Sequence, residues 1–141
     1  MKPQKQRNHH RPAEGVYGDC FRTVIASMLE LEPEEVPHEN RELGDGEQDT
    51  LMNVWLAGRG LRFVQVPYAV DPEDAMGIMA EMYPGLLYVL GGRSRTGVNH
   101  FVICRDREIV SDPSLTDAGI VGRCDDDHVW IGHIVYQGAA T

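Results

Sequence analysis

A chain of 141 residues, 42% hydrophobic and 25% charged, is long enough for one globular domain whose core needs no disulfide staples. Its formal charge of −9 argues against a nucleic-acid-binding role, which would want a basic face. No apolar run approaches the ~18 residues that would cross a bilayer, so neither nucleic acid nor membrane is expected as a partner.

The chain opens with a polar arm, residues 1–17. Its first twelve residues hold Lys2, Lys5, Arg7 and Arg11 and no acid; these twelve carry +4 and the whole chain −9, so the rest carries −13. Such an arm reads equally as a strap folded onto the acidic body or as a free end. His9 and His10 are too few for a tag and belong to the arm. No apolar segment follows the charges, so no export signal is read here. The three cysteines, an odd number, then describe a reduced cytoplasmic protein.

Phe21, Val24, Ile25, Met28 and Leu29 have the three-four spacing of a buried helix over 20–30. Asp19 is its expected N-cap and Cys20 its first residue. Residues 33–37 fit one helical turn between prolines, and 40–46 a polar loop. A second helix is expected over about 47–58 with Leu51, Met52, Val54 and Trp55 inward, ended by Gly58 and Gly60. Residues 61–66 alternate as a strand. A third helix begins at Asp71-Pro72, with Asp71 as cap, and runs to about Tyr83. The apolar run 86–90 reads as a central strand and 91–97 as a loop. Residues 98–104 and 108–112 form a hairpin around Asp106-Arg107, 113–127 a long loop, and 129–136 a last strand. The fold class is α+β: a single domain, 18–141, with its leading helix packed on a mostly antiparallel sheet.

Three residues on this frame carry chemistry. A helix N-terminus favours a thiolate, and first-turn amides point at Cys20, whose own N–H is placed to help bind an oxyanion. Asp19 beside it has the wrong sign unless its side chain turns back to cap the helix. His100 shares a strand face with Val102 and Cys104. Whether Asp112 meets it depends on the hairpin. A three-residue loop over 105–107 sets 104 opposite 108 and 100 opposite 112. A two-residue loop pairs 100 with 113 and turns Asp112 away. The apolar pattern leaves both open. In the first register Asp112 accepts from one ring nitrogen of His100, and the other is free for Cys20. The plainer alternatives are a small buried thiol, a satisfied histidine and a turn carboxylate before Pro113.

Other candidates carry less. Cys104 reads as core and His133 as structural. Cys124 beside Asp125, Asp126, Asp127 and His128 lacks zinc-finger spacing and reads as a solvated acidic loop. Gly91-Gly92 precedes a strand, not a helix, so it is no phosphate loop. No cofactor or metal is expected. Trp55, Tyr68 and Trp130 are candidates to line a cleft, with Trp55 better read as core.

The segments Gly18-Asp19-Cys20, Asn99-His100-Phe101-Val102 and Asp112-Pro113 together resemble the papain-like cysteine peptidases. The likeness is greatest to the compact branch that includes the double-glycine leader peptidases of bacteriocin exporters. The layout is also similar to small phage and bacterial proteins with a Cys-Phe helix followed by a segment like Leu31–Pro37. The resemblance spans most of the chain but rests on these short motifs. It implies a papain-like fold in which Cys20 is nucleophile, His100 base and acid, and Asp112 the orienting group. It also implies a glutamine ahead of the cysteine that completes the oxyanion hole. No Gln lies between Arg7 and Asp19; Gln6 is the candidate, and Gln4 a more distant one, each requiring the arm to fold back. Phe21 stands where the leader peptidases commonly have glycine, which bears on their substrate preference rather than the chemistry.

Three functions follow from one fold. The first is a thiol hydrolase cutting a peptide or isopeptide bond of a peptide or protein substrate through a thioester. The second is an acyltransferase using the same residues. The third is a silent binding or regulatory protein. A metal site at Cys124 and His128 is a distant fourth. Oligomeric state is not readable.

Overall fold

The computed structural model describes residues 1–44 and 46–138. Asp45, within the expected 40–46 loop, and residues 139–141, at the end of the expected 18–141 domain, lie outside the described residues. The described chain is α+β. It has helices α1 (Cys20–Leu29), α2 (Glu47–Ala57) and α3 (Pro72–Met82), with 3-10 turns at Pro12–Glu14 and Pro33–Glu35. Its strands are β1 (Leu61–Tyr68), β2 (Leu87–Arg93), β3 (Asn99–Arg105), β4 (Glu108–Ser111) and β5 (Val129–Tyr136). They form one sheet in the order β1-β5-β2-β3-β4, antiparallel at every pairing.

Alternation along the central strands gives the sheet two apolar faces. Val89 and Ile103 join Phe21, Val24 and Ile25 of α1 and Met52 and Leu56 of α2 on one side. Tyr88, Leu90, Val102 and Cys104 join Ala75 and Met79 of α3 on the other. Cys104 is core, as its pattern predicts. Burying side chains such as Ile25 and Leu56 contributes about 1.5–3 kcal/mol each, which is what holds α1 and α2 on the sheet.

Several details differ from the sequence expectation. In α2 Met52 and Leu56 are buried and Trp55 packs against the same core, as expected for Met52 and Trp55, whereas Val54 is 74% exposed and points to solvent. Asn53, on the same helix, bonds the N–H and C=O of Phe63 (2.7 and 3.1 Å). It thereby covers part of the free edge of β1. The expected 91–97 loop begins later, because β2 runs through Gly91 and Gly92 to Arg93. These glycines serve close approach. A Cβ on Gly92 would stand 2.5 Å from Ile120 and 2.8 Å from the Gly122 carbonyl oxygen, and one on Gly91 2.9 Å from Phe101. Neither Asp19 nor Asp71 makes a side-chain cap bond to its helix. Asp71 reaches Arg123 instead (3.2 Å).

The N-terminal arm is a strap. It runs along α1 from its C-terminal end to its start. The Met1 amine meets Glu30, the Lys2 N–H donates to Ser27 O, and the Gln4 amide donates to Leu31 O. Lys2 pairs with Glu32, Lys5 with Asp117 and Arg7 with Glu34, so the basic arm is matched to the acidic body.

Candidate active site

The Cys20 side of the site is built on the start of α1. Phe21 stacks against Phe63 and Phe101 (centroids 5.2 and 5.1 Å), which anchors the first turn to the sheet and leaves Cys20, one residue earlier, partly exposed. Asp19 is 1% exposed. Its carboxylate accepts the backbone N–H groups of Arg7 (3.2 Å) and Asn8 (2.8 Å) and the Arg22 Nε–H (2.9 Å). Asp19 thus stands at the expected N-cap position, but its carboxylate clamps the arm rather than capping the helix, and Arg22 balances the charge beside the thiol.

The hairpin supplies the other two residues by a route different from the expected three-residue loop. The turn is Asp106-Arg107, with Arg105 paired to Glu108. Asp106 takes φ +53, a region that Asp tolerates. Its carboxylate holds Gly85 N (2.8 Å), and its carbonyl accepts the Tyr88 hydroxyl (2.7 Å). A regular ladder from this turn would put Asp112 on the face of Phe101. It does not continue regularly. Cys104 pairs with Ile109 but Ile103 with Ser111, so Val110 is an extra residue, a β-bulge. The bulge reverses the alternation a second time and returns Asp112 to the His100 side.

His100 is 6% exposed, and its Nε2 lies 2.8 Å from Asp112 Oδ1. Asp112 also accepts Ser114 N–H (2.9 Å) and Gly119 N–H (2.8 Å). Burial works against its charge, but the bonds from His100, Ser114 and Gly119 outweigh it and hold the carboxyl below its ordinary range. For His100 burial likewise favours the neutral ring. Hydrogen bonding to Asp112 and to the neighbouring Cys20 thiol overcomes it and pushes the imidazole up to about 9. Nε2 is committed to Asp112, so Nδ1 is the nitrogen left for the thiol. Burial raises the other two thiols, Cys104 to about 12, and Cys124 to about 11 with help from Asp126 and Asp125. Both are held in the protonated, unreactive form at neutral pH.

Gln6 lies in the strap, buried, between the two halves of the site. Its N–H donates to the carbonyl of Pro113, next to Asp112 (2.7 Å), and the two following residues are those clamped by Asp19. Its Nε2 donates to Asn8 O (2.5 Å). Lys5 ties the same loop from outside, donating to Asp112 O (2.9 Å), Ser114 O (2.9 Å) and Asp117 Oδ1 (2.6 Å). Sequence reasoning missed Lys5, the clamp role of Asp19, and Gly92, which pairs with His100 across the ladder and lets the segment after Asp112 cross close above it. The one available signal was a double glycine inside an otherwise apolar strand pattern.

Cys20, His100 and Asp112, 80 and more residues apart at the ends, thus come together with Gln6 close by. Among the described residues no group of three or more His, Cys, Asp or Glu side chains could hold a metal. In the Cys124 loop, Asp125 pairs with Arg93, and the Asp126 carboxylate accepts the Trp130 indole N–H (2.8 Å). No helix of the described residues is long and apolar enough to cross a membrane. Comparison with known proteins finds no family model, no curated protein and no solved structure that matches the chain.

Proposed function

We propose that the protein is a thiol hydrolase of papain-like type, acting on an amide bond of a peptide or protein through a Cys20–His100–Asp112 triad. The observation that carries the reading is the buried His100, bonded through Nε2 to Asp112 and set against the Cys20 thiol at the start of α1. His100 takes the Cys20 proton. The thiolate attacks the carbonyl carbon, and the carbonyl electron pair moves to oxygen. Collapse of this intermediate breaks the C–N bond, with His100 returning the proton to the leaving amine. Water, deprotonated by His100, then hydrolyses the thioester. Asp112 keeps the ring oriented and stabilises the imidazolium.

An activated ester tests this reading without knowledge of the natural substrate. Treatment with p-nitrophenyl acetate should release p-nitrophenolate in a burst and leave an acetyl group on Cys20, mapped by mass spectrometry. Cys20→Ala and His100→Ala should both abolish the burst. Acetylation spread over surface lysines with no burst contradicts the reading. In that outcome a silent papain-like binding protein is the better description, a reading favoured by one observation: the Gln6 amide is turned to Asn8 O.

A further inference from the structure

We propose that the cleft between α2 and β1 is a binding site for a lysine or arginine side chain, presented by an extended segment of a partner protein laid along the free edge of β1. The cleft shares no residue with the triad, and the inference does not rest on the thiol-hydrolase reading. Its volume is about 620 Å³. β1 ends the sheet, so one of its edges has no neighbouring strand. At that edge Asn53 of α2 bonds the N–H and C=O of Phe63 (2.7 and 3.1 Å), which therefore point away from β5. Backbone groups alternate in direction along an antiparallel strand, so those of Gln65 point out at the same edge. They have no partner among the described residues. Between the Asn53 cap and Pro67, which lacks an N–H, the open stretch is Gln65 alone.

The side chains at this end of the cleft are acceptors. Asp49 Oδ2 accepts the Gln65 side-chain amide (2.6 Å), which leaves Gln65 Oε1 without a partner. Burial raises the Asp49 carboxyl above its ordinary range; the Gln65 amide opposes this, and no cation among the described residues does. Trp130, opposite Pro67 in the ladder, lines the same end, its indole N–H held by Asp126 (2.8 Å). A carboxylate without a cation, an unmet amide oxygen and an aromatic ring suit a cationic donor. Val54, exposed on α2, offers an apolar wall for the stem of such a side chain. The contacts Asp49–Gln65 and Asn53–Phe63 run α2 antiparallel to β1, so Arg62 lines the far end and disfavours a cation there. A residue paired antiparallel to Gln65 exchanges both backbone bonds with it and sets its side chain on the face of the Gln65 side chain, toward Asp49. That residue is the basic one. The charge of −13 outside the first twelve residues also favours a basic segment.

The probe is a short peptide, blocked at both ends, with one lysine flanked by valines, titrated into the full chain and followed by NMR. Saturable shifts are expected at the Gln65 backbone N–H, the Asn53 side-chain NH₂ and the Trp130 indole N–H. Replacing the peptide lysine by norleucine should weaken binding about five- to tenfold, and Asp49→Asn should do the same. The two changes together should cost no more than the larger alone, because both remove one contact. The norleucine peptide leaves the protein untouched, so the comparison holds even if Asp49→Asn does not fold. Methylating the lysine backbone nitrogen, which removes the donor to Gln65 C=O, should also weaken binding. Equal binding of the lysine and norleucine peptides overturns the inference, as does the absence of shifts at millimolar peptide. Shifts confined to the surroundings of His100 and Asp112, or to the acidic loop at 125–127, also overturn it. Shifts at Gln65 that grow with protein concentration and without peptide would assign the edge to a second copy of the chain and overturn it equally.

Discussion

The two halves of the candidate site are built in opposite ways. His100 and Asp112 belong to one hairpin and meet across twelve residues. Cys20 reaches them only because α1 packs on the sheet through Phe21 and because a strap from residues 1–8 ties α1 to the loop after Asp112. A local device fixes the acid–base pair. Long-range packing and a borrowed segment fix the nucleophile. Damage to the hairpin should change the chemistry of the imidazole, whereas damage to the strap should change geometry and leave the imidazole intact.

The largest expected effect breaks the hairpin half. His100→Ala should lower Cys20 acylation at neutral pH by about 100-fold or more, the scale of a lost general base. Asp112→Asn comes next. It leaves His100 buried without its carboxylate, so the ring should titrate below the parent value of about 9 when followed by NMR. The linked stability has a defined window. The His100 proton is held more tightly in the folded chain than at its ordinary 6.5, so its contribution is complete below about 6.5 and is lost as pH rises through 9. The Asp112 carboxyl is lowered from 3.8, so its contribution is present above that value and is lost as pH falls below it. The difference in unfolding free energy between parent and Asp112→Asn, from urea titrations, should be greatest between about pH 4 and 6.5 and shrink toward pH 9 and above.

Gly92→Ala sharpens the comparison. Its Cβ would meet the Gly122 carbonyl at 2.8 Å, so backbone must move. An overpacking cost of about 1–3 kcal/mol is expected, visible as a fall of several degrees in melting temperature. The His100 resonance should move with it, because the displaced segment also supplies Gly119 N–H to Asp112. The smallest effect lies in the strap. Lys5 is half exposed (45%), so Lys5→Ala should cost at most about 1 kcal/mol. It should slow acylation a few-fold without moving the His100 titration.

This division also explains what could be read from the sequence. The helices, the strands of the hairpin and the Cys–His–Asp order follow from apolar spacing and turn residues, which are local. The register did not follow. The expected three-residue loop would set Asp112 beside His100 directly; the chain instead uses a two-residue turn and a bulge at Val110, two alternation changes that cancel. Nothing in Glu108–Ser111 marks a bulge, because Ile109 and Val110 suit either face. Val54 illustrates the same gap: its apolarity fits an inward position, but the helix phase is set by Met52 and Leu56. The charge of the arm makes a folded strap one of two readings, but its contacts are illegible for another reason. Its bonds join residues 1–8 to 19, 27, 31 and 113, and most use backbone groups that every residue possesses. Asp19 has the identity of an N-cap, and only the folded arm gives its carboxylate other donors.

The central claim is that Cys20 and His100 form an activated pair. Its most direct test is the rate of iodoacetamide labelling against pH in the parent and in His100→Ala, with all three cysteines scored by mass spectrometry. The activated pair should give selective labelling of Cys20 well below pH 8, lost in the variant, while Cys104 and Cys124, pushed up to about 12 and about 11, lag behind. Labelling of Cys20 no faster than Cys124, or unchanged by loss of His100, would contradict it.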